Sequence, residues 1–381
     1  MKKKGIWVIV SVLVILGLLV GGFGCAAPSP GVTPTPTPAK PSPTPAKPSP
    51  TPAKPTPAPA PAAPEVIKWN MQTAYQLASS YSKFYAVDWV EWVKDITDGR
   101  LVIELHPPGT FAKGGEQLDA VGRGVINASL DFAGYYASKI PLTQIETGLP
   151  MAWNDGYQAH DAFYNRGLWE LVRDSYKPFN AIPLGVAFEG SSWYHFGTTF
   201  PFTGLDSIKG KKIRASGIYG KYVQALGGLP TVVSGPDMYM SMKTGILDGM
   251  IMGISTLDTY KLREIVTDYV TEPTLTPLVT SCPTINLDSW NALPDDIKHL
   301  LEQTAYFNIW AAYNYKLDAW KTVTSAERDF GLTWHKLSAA DEARAREISV
   351  TLWDDVAASD PLAAQGVEIV KQQLRDWGKL D

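Results

Sequence analysis

The stretch Ile208 to Gly253, IKGKKIRASGIYGKYVQALGGLPTVVSGPDMYMSMKTGILDGMIMG, decides the fold. Lys212 to Ala215 reads as a short strand closed by the Ser216-Gly217 turn. Tyr222, Val223 and Leu226 then fall at helical spacing, and Gly227-Gly228 stops that helix. Thr231 to Val233 is β-branched and brief, the mark of a second strand. Another helix is expected from Ser234, whose spacing to Asp237 suits a capping box, with Met238, Met242 and Ile246 as its apolar stripe. Gly249 to Gly253 reads as a third, buried strand. Strands alternating with helices predict an α/β fold with parallel strands, and such sheets bind ligands at their carboxyl ends. Arg214 falls at one of those ends.

The same stretch resembles the extracytoplasmic substrate-binding proteins of tripartite ATP-independent periplasmic (TRAP) transporters, the dicarboxylate-binding-protein-like DctP family. The features that carry the resemblance occur in order. They are Asp206, Lys209-Gly210, Lys212-Ile213-Arg214, Ala225-Leu226-Gly227, Asp237 with Tyr239, and Thr244-Gly245 with Asp248-Gly249. The resemblance covers roughly Glu65 to Asp381. It implies a two-domain, hinged periplasmic-binding-protein-like fold, each domain a mixed sheet flanked by helices, with a long helix contacting both. It also implies that Arg214 forms a salt bridge to the carboxylate of an organic acid, delivered to the integral membrane permease subunits of a TRAP transporter. Two departures bear on the ligand. No Arg occurs in Tyr194 to Thr199, where many members carry a second one, and Met250-Ile251-Met252 replaces a polar run. The Glu-Trp pair of members that bind 2-oxo acids through a metal ion is also missing. A small or partly apolar monocarboxylate is therefore expected, with no cofactor and no metal.

Outside that stretch the chain has three parts. Lys2, Lys3 and Lys4 precede an apolar run from Ile6 to Val20 and then Gly24-Cys25, which reads as an export signal in residues 1–25 with lipid attachment at Cys25. An uncleaved signal anchor is the other reading, since Gly22 stands where a lipoprotein signal usually has Leu. Both place the protein outside the cytoplasmic membrane, in the periplasm or at the cell surface, and tether it through its N-terminus. Residues 26–64 repeat TPAK at Thr37, Thr44 and Thr51 and are rich in proline, which favours an extended spacer over helix or sheet. At about 3.1 Å per residue the spacer would reach on the order of 100 Å. Six of the 34 basic residues and none of the 38 acidic ones precede Glu65, so the remaining domain has a net charge near −10. Such an acidic balance argues against a nucleic-acid partner.

From Glu65 the pattern is β-α-β-α-β. Strands are expected at Val66 to Asn70, Leu101 to Leu105 and Ala128 to Tyr135, with helices at Tyr81 to Thr97 and Gly114 to Val121. Further strands are expected at Ile182 to Phe188, Val266 to Thr274, Val279 to Leu287 and Leu332 to Leu337. A helix starting at Leu293-Pro294-Asp295-Asp296 and running to about Phe330 is longer than most, and two more follow Ser338 and Pro361. The first lobe is expected to comprise about 65–190 plus a segment near 275–325. The second would comprise about 191–270 plus the C-terminal helices.

No nucleophile elbow, zinc-binding helix, P-loop or dinucleotide fingerprint is present, and the five histidines are scattered without metal spacing, so the chain reads as no enzyme. The candidate ligand contacts are Arg214, Tyr135, Trp193 and Tyr239, then Tyr75, Trp153 and Gly253. Phe132 and Tyr194 fall at similar strand ends. A guanidinium offers parallel donors that match a carboxylate at two points. The aromatics could equally fill the core. A ligand sensor signalling to a membrane kinase is the alternative to a transport receptor. An exported hydrolase or a wall-attached structural protein explains fewer of the residues.

Overall fold

A computed structural model describes residues 65–188, 194–235, 237–277, 279–281 and 283–380. The expected signal, Cys25, the Pro-rich spacer, Trp193 and Cys282 lie outside the described residues. Ala62 to Asp381 forms one compact unit with its own extensive apolar core, so this unit carries what its fold needs.

Thirteen strands are described: β1 Ile67–Thr73, β2 Leu101–His106, β3 Ala128–Leu130, β4 Ala181–Pro183, β5 Val186–Phe188, β6 His195–Thr198, β7 Lys212–Arg214, β8 Leu229–Thr231, β9 Gly249–Met252, β10 Asp268–Glu272, β11 Val279–Ser281, β12 Thr284–Asn286 and β13 Thr333–Lys336. One sheet has the order β2-β1-β3-β12-β4 and the other β13-β10-β6-β9-β7-β8. In the first, β1 runs parallel to β2 and β3, while β12 is antiparallel to β3 and β4. In the second, β7 runs parallel to β8 and β9, and β6 is antiparallel to β9 and β10. Both sheets are mixed. The chain leaves the first lobe along β5 and returns along β11, and these two strands form a separate antiparallel ribbon. Helix Ala305–Phe330 packs on β5, on Lys83–Val87 of the first lobe and on the turns after β9 in the second. This is the two-lobed, hinged α/β architecture that the resemblance implies.

Local chemistry explains where the elements stop. The long helix is broken once, at Thr304, from its predecessor Asp295–Gln303, and ends at Gly331, whose φ of 68° suits glycine. Ser338 accepts from the Asp341 amide at 3.1 Å and starts helix Ala339–Ala357. The expected helix over Tyr81 to Thr97 contains a π-helical segment at Lys83–Val87 before helix Asp88–Ile96. That extra turn places Tyr85, Trp89 and Val93 in the core, and Phe84 and Trp92 against Phe307 and Trp310 of the long helix.

Several expected strands are shorter. β3 ends at Leu130, and Ala133–Tyr136 coils into a 3-10 turn, so Phe132 and Tyr135 leave the sheet. Ile182 to Phe188 is interrupted at Gly185, where a Cβ would meet the Asn308 amide at 2.7 Å and the Ala305 Cα at 3.2 Å. The backbone there lies against the long helix and must turn away from the sheet. Val279 to Leu287 divides into β11 and β12 before Pro283, which has no amide for a ladder. β8 covers Leu229 to Thr231, so Val232 and Val233 are loop. The following helix is Met238–Lys243 and not one from Ser234, because the Ser234 hydroxyl bonds the Asp237 carboxylate instead of a backbone amide. Ile246 lies beyond that helix and is exposed.

The last helix, Pro361–Asp376, packs on first-lobe helices, whereas Ala339–Ala357 packs on Ile218–Ala225 of the second lobe. From the sequence both are expected with the second lobe, and the contacts divide them. Gly366 makes the difference, since it lets Ile145, Leu142 and Leu168 of the first lobe come within 2.7 to 3.2 Å of where its Cβ would stand.

Candidate functional site

The carboxyl ends of β1, β3, β7, β8 and β9 converge on one cavity of about 420 Å³ between the lobes. Each strand end contributes a segment. After β1 come Ala74, Tyr75, Gln76, Ser79, Ser80 and Tyr81, and after β3 Phe132 and Tyr135. From the second lobe come Tyr194, Arg214 with Ser216, the loop Val232–Gly235, and Met252 to Tyr260 after β9. The long helix adds Tyr315.

Arg214 is the last residue of β7, flanked by β8 and β9. Its Nε donates to the Val233 carbonyl at 3.3 Å, which leaves the terminal nitrogens of the fork for another partner. Among the described residues it makes no ion pair and is the one charged side chain on the cavity wall. Tyr260 stands near it. Burial pushes the Tyr260 phenol up and the Arg214 charge pulls it part of the way back.

The aromatic wall is tied down by its neighbours. Tyr75 and Tyr81 have ring centroids 4.5 Å apart, and Tyr81 meets Tyr315 edge-on at 5.8 Å. The Tyr315 hydroxyl bonds that of Ser255, which joins the long helix to the second lobe at the cavity floor. Tyr75 is held by its amide donating to Thr73 Oγ1 at 3.1 Å. Phe132 and Tyr135 pack edge to face at 5.4 Å. Tyr194 is bridged to Thr276 and packs on Tyr219 at 5.3 Å. Such a wall offers hydroxyl donors and ring faces around one fixed guanidinium, a combination suited to holding an anion with an apolar body.

Of the residues singled out from sequence, Arg214, Tyr135, Tyr75 and Gly253 come together on this cavity, with Phe132 and Tyr194. Trp193 lies outside the described residues. Tyr239 stands off the cavity. Helix Met238–Lys243 turns Met238 and Met242 into the core and Tyr239 outward, where its hydroxyl donates to Glu264 at 2.8 Å. Trp153 is fully buried in the first lobe, its Nε1 donating to Gln373 Oε1 at 2.8 Å, with Phe163 6.1 Å away. Its neighbours Gly148-Leu149-Pro150 form a clasp between the lobes. Tyr219 donates to the carbonyls of Thr147 at 3.1 Å and Gly148 at 2.6 Å, and Trp353 donates to that of Pro150 at 3.0 Å. Sequence reasoning passed over Tyr81, Ser255, Tyr260 and Tyr315. Ser255, two residues past the expected strand Gly249 to Gly253, could have been found by the strand-end rule, whereas Tyr260 follows the short helix Thr256–Thr259.

Beneath the first-lobe wall lies Asp131, next to Phe132. It is buried, accepts from Tyr136, and sits 3.4 Å from the Ser129 hydroxyl. Burial pushes its carboxyl up from 3.8 to about 6, against the opposing effect of those hydrogen bonds. Between those two values the native state holds a proton that the unfolded chain has released. Its contribution to stability is therefore complete below about pH 3.8 and is lost as pH rises to about 6, amounting to about 3 kcal/mol. Asp131→Asn, which can still accept from Tyr136, should raise the melting temperature at pH 8 and flatten that decline. Thermal unfolding from pH 4 to pH 8 checks both, and an Asn variant less stable at pH 8 would contradict the assignment.

The model of the bacterial extracellular solute-binding proteins, family 7 (DctP), matches residues 74–360. The chain belongs to this family. A monocarboxylate 2-oxoacid-binding periplasmic protein of Nostoc sp. is 25% identical over 241 residues, covering 62% of this chain and 64% of that protein. The chain thus aligns with less than two thirds of that relative's length. The C4-dicarboxylate-binding periplasmic protein DctP of Rhodobacter capsulatus is 24% identical over 291 residues, 75% of this chain and 85% of that one. A TRAP solute-binding protein from a marine metagenome, solved with co-purified pyroglutamate, superposes with a TM-score of 0.70 at 23% identity, covering 81% of this chain and 99% of that one. Family 7 members are solute-binding receptors, and the two-lobed fold around the cavity is theirs. Among the described residues no helix is long and apolar enough to cross a membrane, and no group of three His, Cys, Asp or Glu is placed to hold a metal ion.

Proposed function

We propose that this family 7 protein is an extracytoplasmic receptor for a monocarboxylate, which Arg214 anchors in the cavity and which the protein hands to a TRAP-type permease. The observation that carries the reading is the solitary guanidinium: among the described residues, one cation and no carboxylate stand on the wall of an otherwise aromatic and hydroxyl-lined cavity. A single positive charge in a partly desolvated cleft balances one carboxylate. A second carboxylate would be buried without a partner, at a cost of several kcal/mol. Tyr75, Tyr135, Tyr260 and Tyr315 would then surround the body of the acid, and closure of the lobes would sequester it. The 2-oxoacid, C4-dicarboxylate and pyroglutamate named for the similar proteins are all acids, which supports the general class. The N-terminal signal and Pro-rich spacer, with Cys25 acylated, would keep the receptor tethered outside the membrane beside its permease.

The test is a thermal-shift series on the Ala62–Asp381 unit with pyruvate, pyroglutamate, longer or ring-bearing monocarboxylates, and succinate. A bound acid at about 100 times its dissociation constant stabilises the native state by about 2.7 kcal/mol, a clear rise in melting temperature. At least one monocarboxylate should give that rise and succinate should give less. Succinate outperforming every monocarboxylate would overturn the charge argument. A flat response to the whole series would remove the organic-acid reading itself.

A further inference from the structure

Glycines hold the rings of the cavity in place. Four partly exposed rings face its space: Tyr75, Phe132 and Tyr135 from the first lobe and Tyr260 from the second. A Cβ on Gly134 would stand 2.7 Å from Phe132 Cζ, and one on Gly235 would stand 3.0 Å from Tyr260 Cε1 and against its hydroxyl. Neither glycine has a positive φ, so what each supplies is the missing Cβ and not an unusual backbone. Phe132 and Tyr260 therefore rest directly on main chain. Tyr135 packs over Gly114 and Gly115, 3.5 and 3.7 Å from where their Cβ atoms would be, and edge to face on Phe132. Tyr75 is backed by Tyr81. Burial pushes the Tyr260 phenol up, and Arg214 and Tyr135 both act on it through space, so guanidinium, phenol and first-lobe rings surround one volume.

We infer that this volume is a slot for a planar ring and that the ligand is an aromatic monocarboxylate, its carboxylate on Arg214 and its ring against Phe132 and Tyr135. The inference rests on the monocarboxylate reading of Arg214 and names the body that the acid carries. Ring faces held at fixed angles suit another ring in offset or edge-on contact, with centroids about 4.5–7 Å apart. The cavity of about 420 Å³ lies within the roughly 300–1,000 Å³ of sites that enclose drug-sized ligands. A three-carbon acid would leave most of that space to water. A flexible aliphatic tail would bury apolar area there but forgo the ring-to-ring contacts and lose rotamer freedom on ordering. Pinned walls also discriminate by thickness, because a puckered saturated ring seats less closely between them than a planar one.

Calorimetric titration of the Ala62–Asp381 unit with matched pairs of monoacids tests this. The pairs are benzoate against cyclohexanecarboxylate and cinnamate against 3-cyclohexylpropionate, with pyruvate as the small reference. Charge and carbon count are equal within each pair, so the ratio of affinities reads the ring alone. At least one planar acid should bind about 10-fold or more tighter than its saturated partner, since each ring contact is worth about 2- to 10-fold. Phe132→Leu should bring that ratio towards one, chiefly by weakening the planar acid. Gly134 is a positioning residue, and Gly134→Ala should lower the same ratio by displacing the Phe132 ring. In a Phe132→Leu background it should lower the ratio no further, whereas a merely structural role would weaken both acids of a pair alike. Saturated acids bound as tightly as planar ones overturn the inference, as does a ratio indifferent to Phe132→Leu. If pyruvate binds through Arg214 while every ring-bearing acid fails, the slot falls and the monocarboxylate receptor stands. If no monoacid binds at all, the inference falls together with the reading beneath it.

Discussion

Replacing Arg214 by Ala should weaken binding of the acid about 30-fold or more while leaving the fold nearly as stable as before. In the free protein Arg214 makes one 3.3 Å hydrogen bond, to Val233, and no ion pair among the described residues. Its loss therefore costs about 1 kcal/mol of stability or less. In the complex the same side chain would face a carboxylate shielded from water by the aromatic wall. Losing one partner of such a pair costs roughly 2–5 kcal/mol, a dissociation constant about 30-fold to several-thousand-fold higher. Arg214→Lys is the sharper variant. It keeps the charge but not the planar fork, so binding should fall well below the parent and remain above that of Arg214→Ala. Calorimetric titration of the best monocarboxylate into all three proteins measures this. Unchanged affinity in Arg214→Ala, with the fold intact, would take Arg214 out of the site. An internal marker is available, since the Tyr260 phenol should titrate higher once the neighbouring positive charge is gone.

Trp153→Ala should do the reverse: a large loss of stability with the acid bound as before. The indole is fully buried, packs on Phe163 and donates to Gln373, whose amide nitrogen in turn donates to the Gln158 carbonyl at 2.8 Å and to Asp161 at 2.9 Å. Truncation leaves a cavity and strands the Gln373 oxygen without its donor, a cost of about 3–5 kcal/mol. Trp153→Phe should lose less, since it refills most of the space but not the hydrogen bond. Denaturant unfolding gives the stability change, and titration of the ligand gives the affinity. A parent-like stability with weakened binding would return Trp153 to the list of ligand contacts.

The contrast between these two residues shows what a sequence can carry. Arg214 was legible because it closes a strand in an alternating strand–helix pattern, and parallel strands place their carboxyl ends on one side whatever the loops do. Tyr135 and Tyr75 follow from the same rule. Gly331 at the end of the long helix and Ser338 at the start of the next were legible because caps are local chemistry. Trp153 and Tyr239 were not, since an aromatic after a strand end looks the same whether it turns towards the cleft or into the core. For Tyr239 the outcome hung on where one helix began. For Asp131, burial depended on β3 ending at Leu130, which no local preference signals. Gly185 and Gly366 mark close approaches between elements far apart in the chain, and nothing adjacent to them in sequence announces the neighbour.

By itself, the sequence determined the alternation of strands and helices, the long helix, the acidic domain set behind a Pro-rich segment, and the strand end that bears Arg214. These rest on periodicity, caps and turns, which act over a few residues. The tertiary structure alone decided that five strand ends meet at one cavity, and that Tyr315 reaches it from the long helix 121 residues beyond Tyr194. It also decided that the long helix turns its small side chains inward and its large aromatics outward. The physical reason is that burial is a property of pairs of surfaces. Alanines let the helix lie close against the ribbon that joins the lobes, and that closeness leaves no room on the inner face for Trp310, Tyr313 or Trp320.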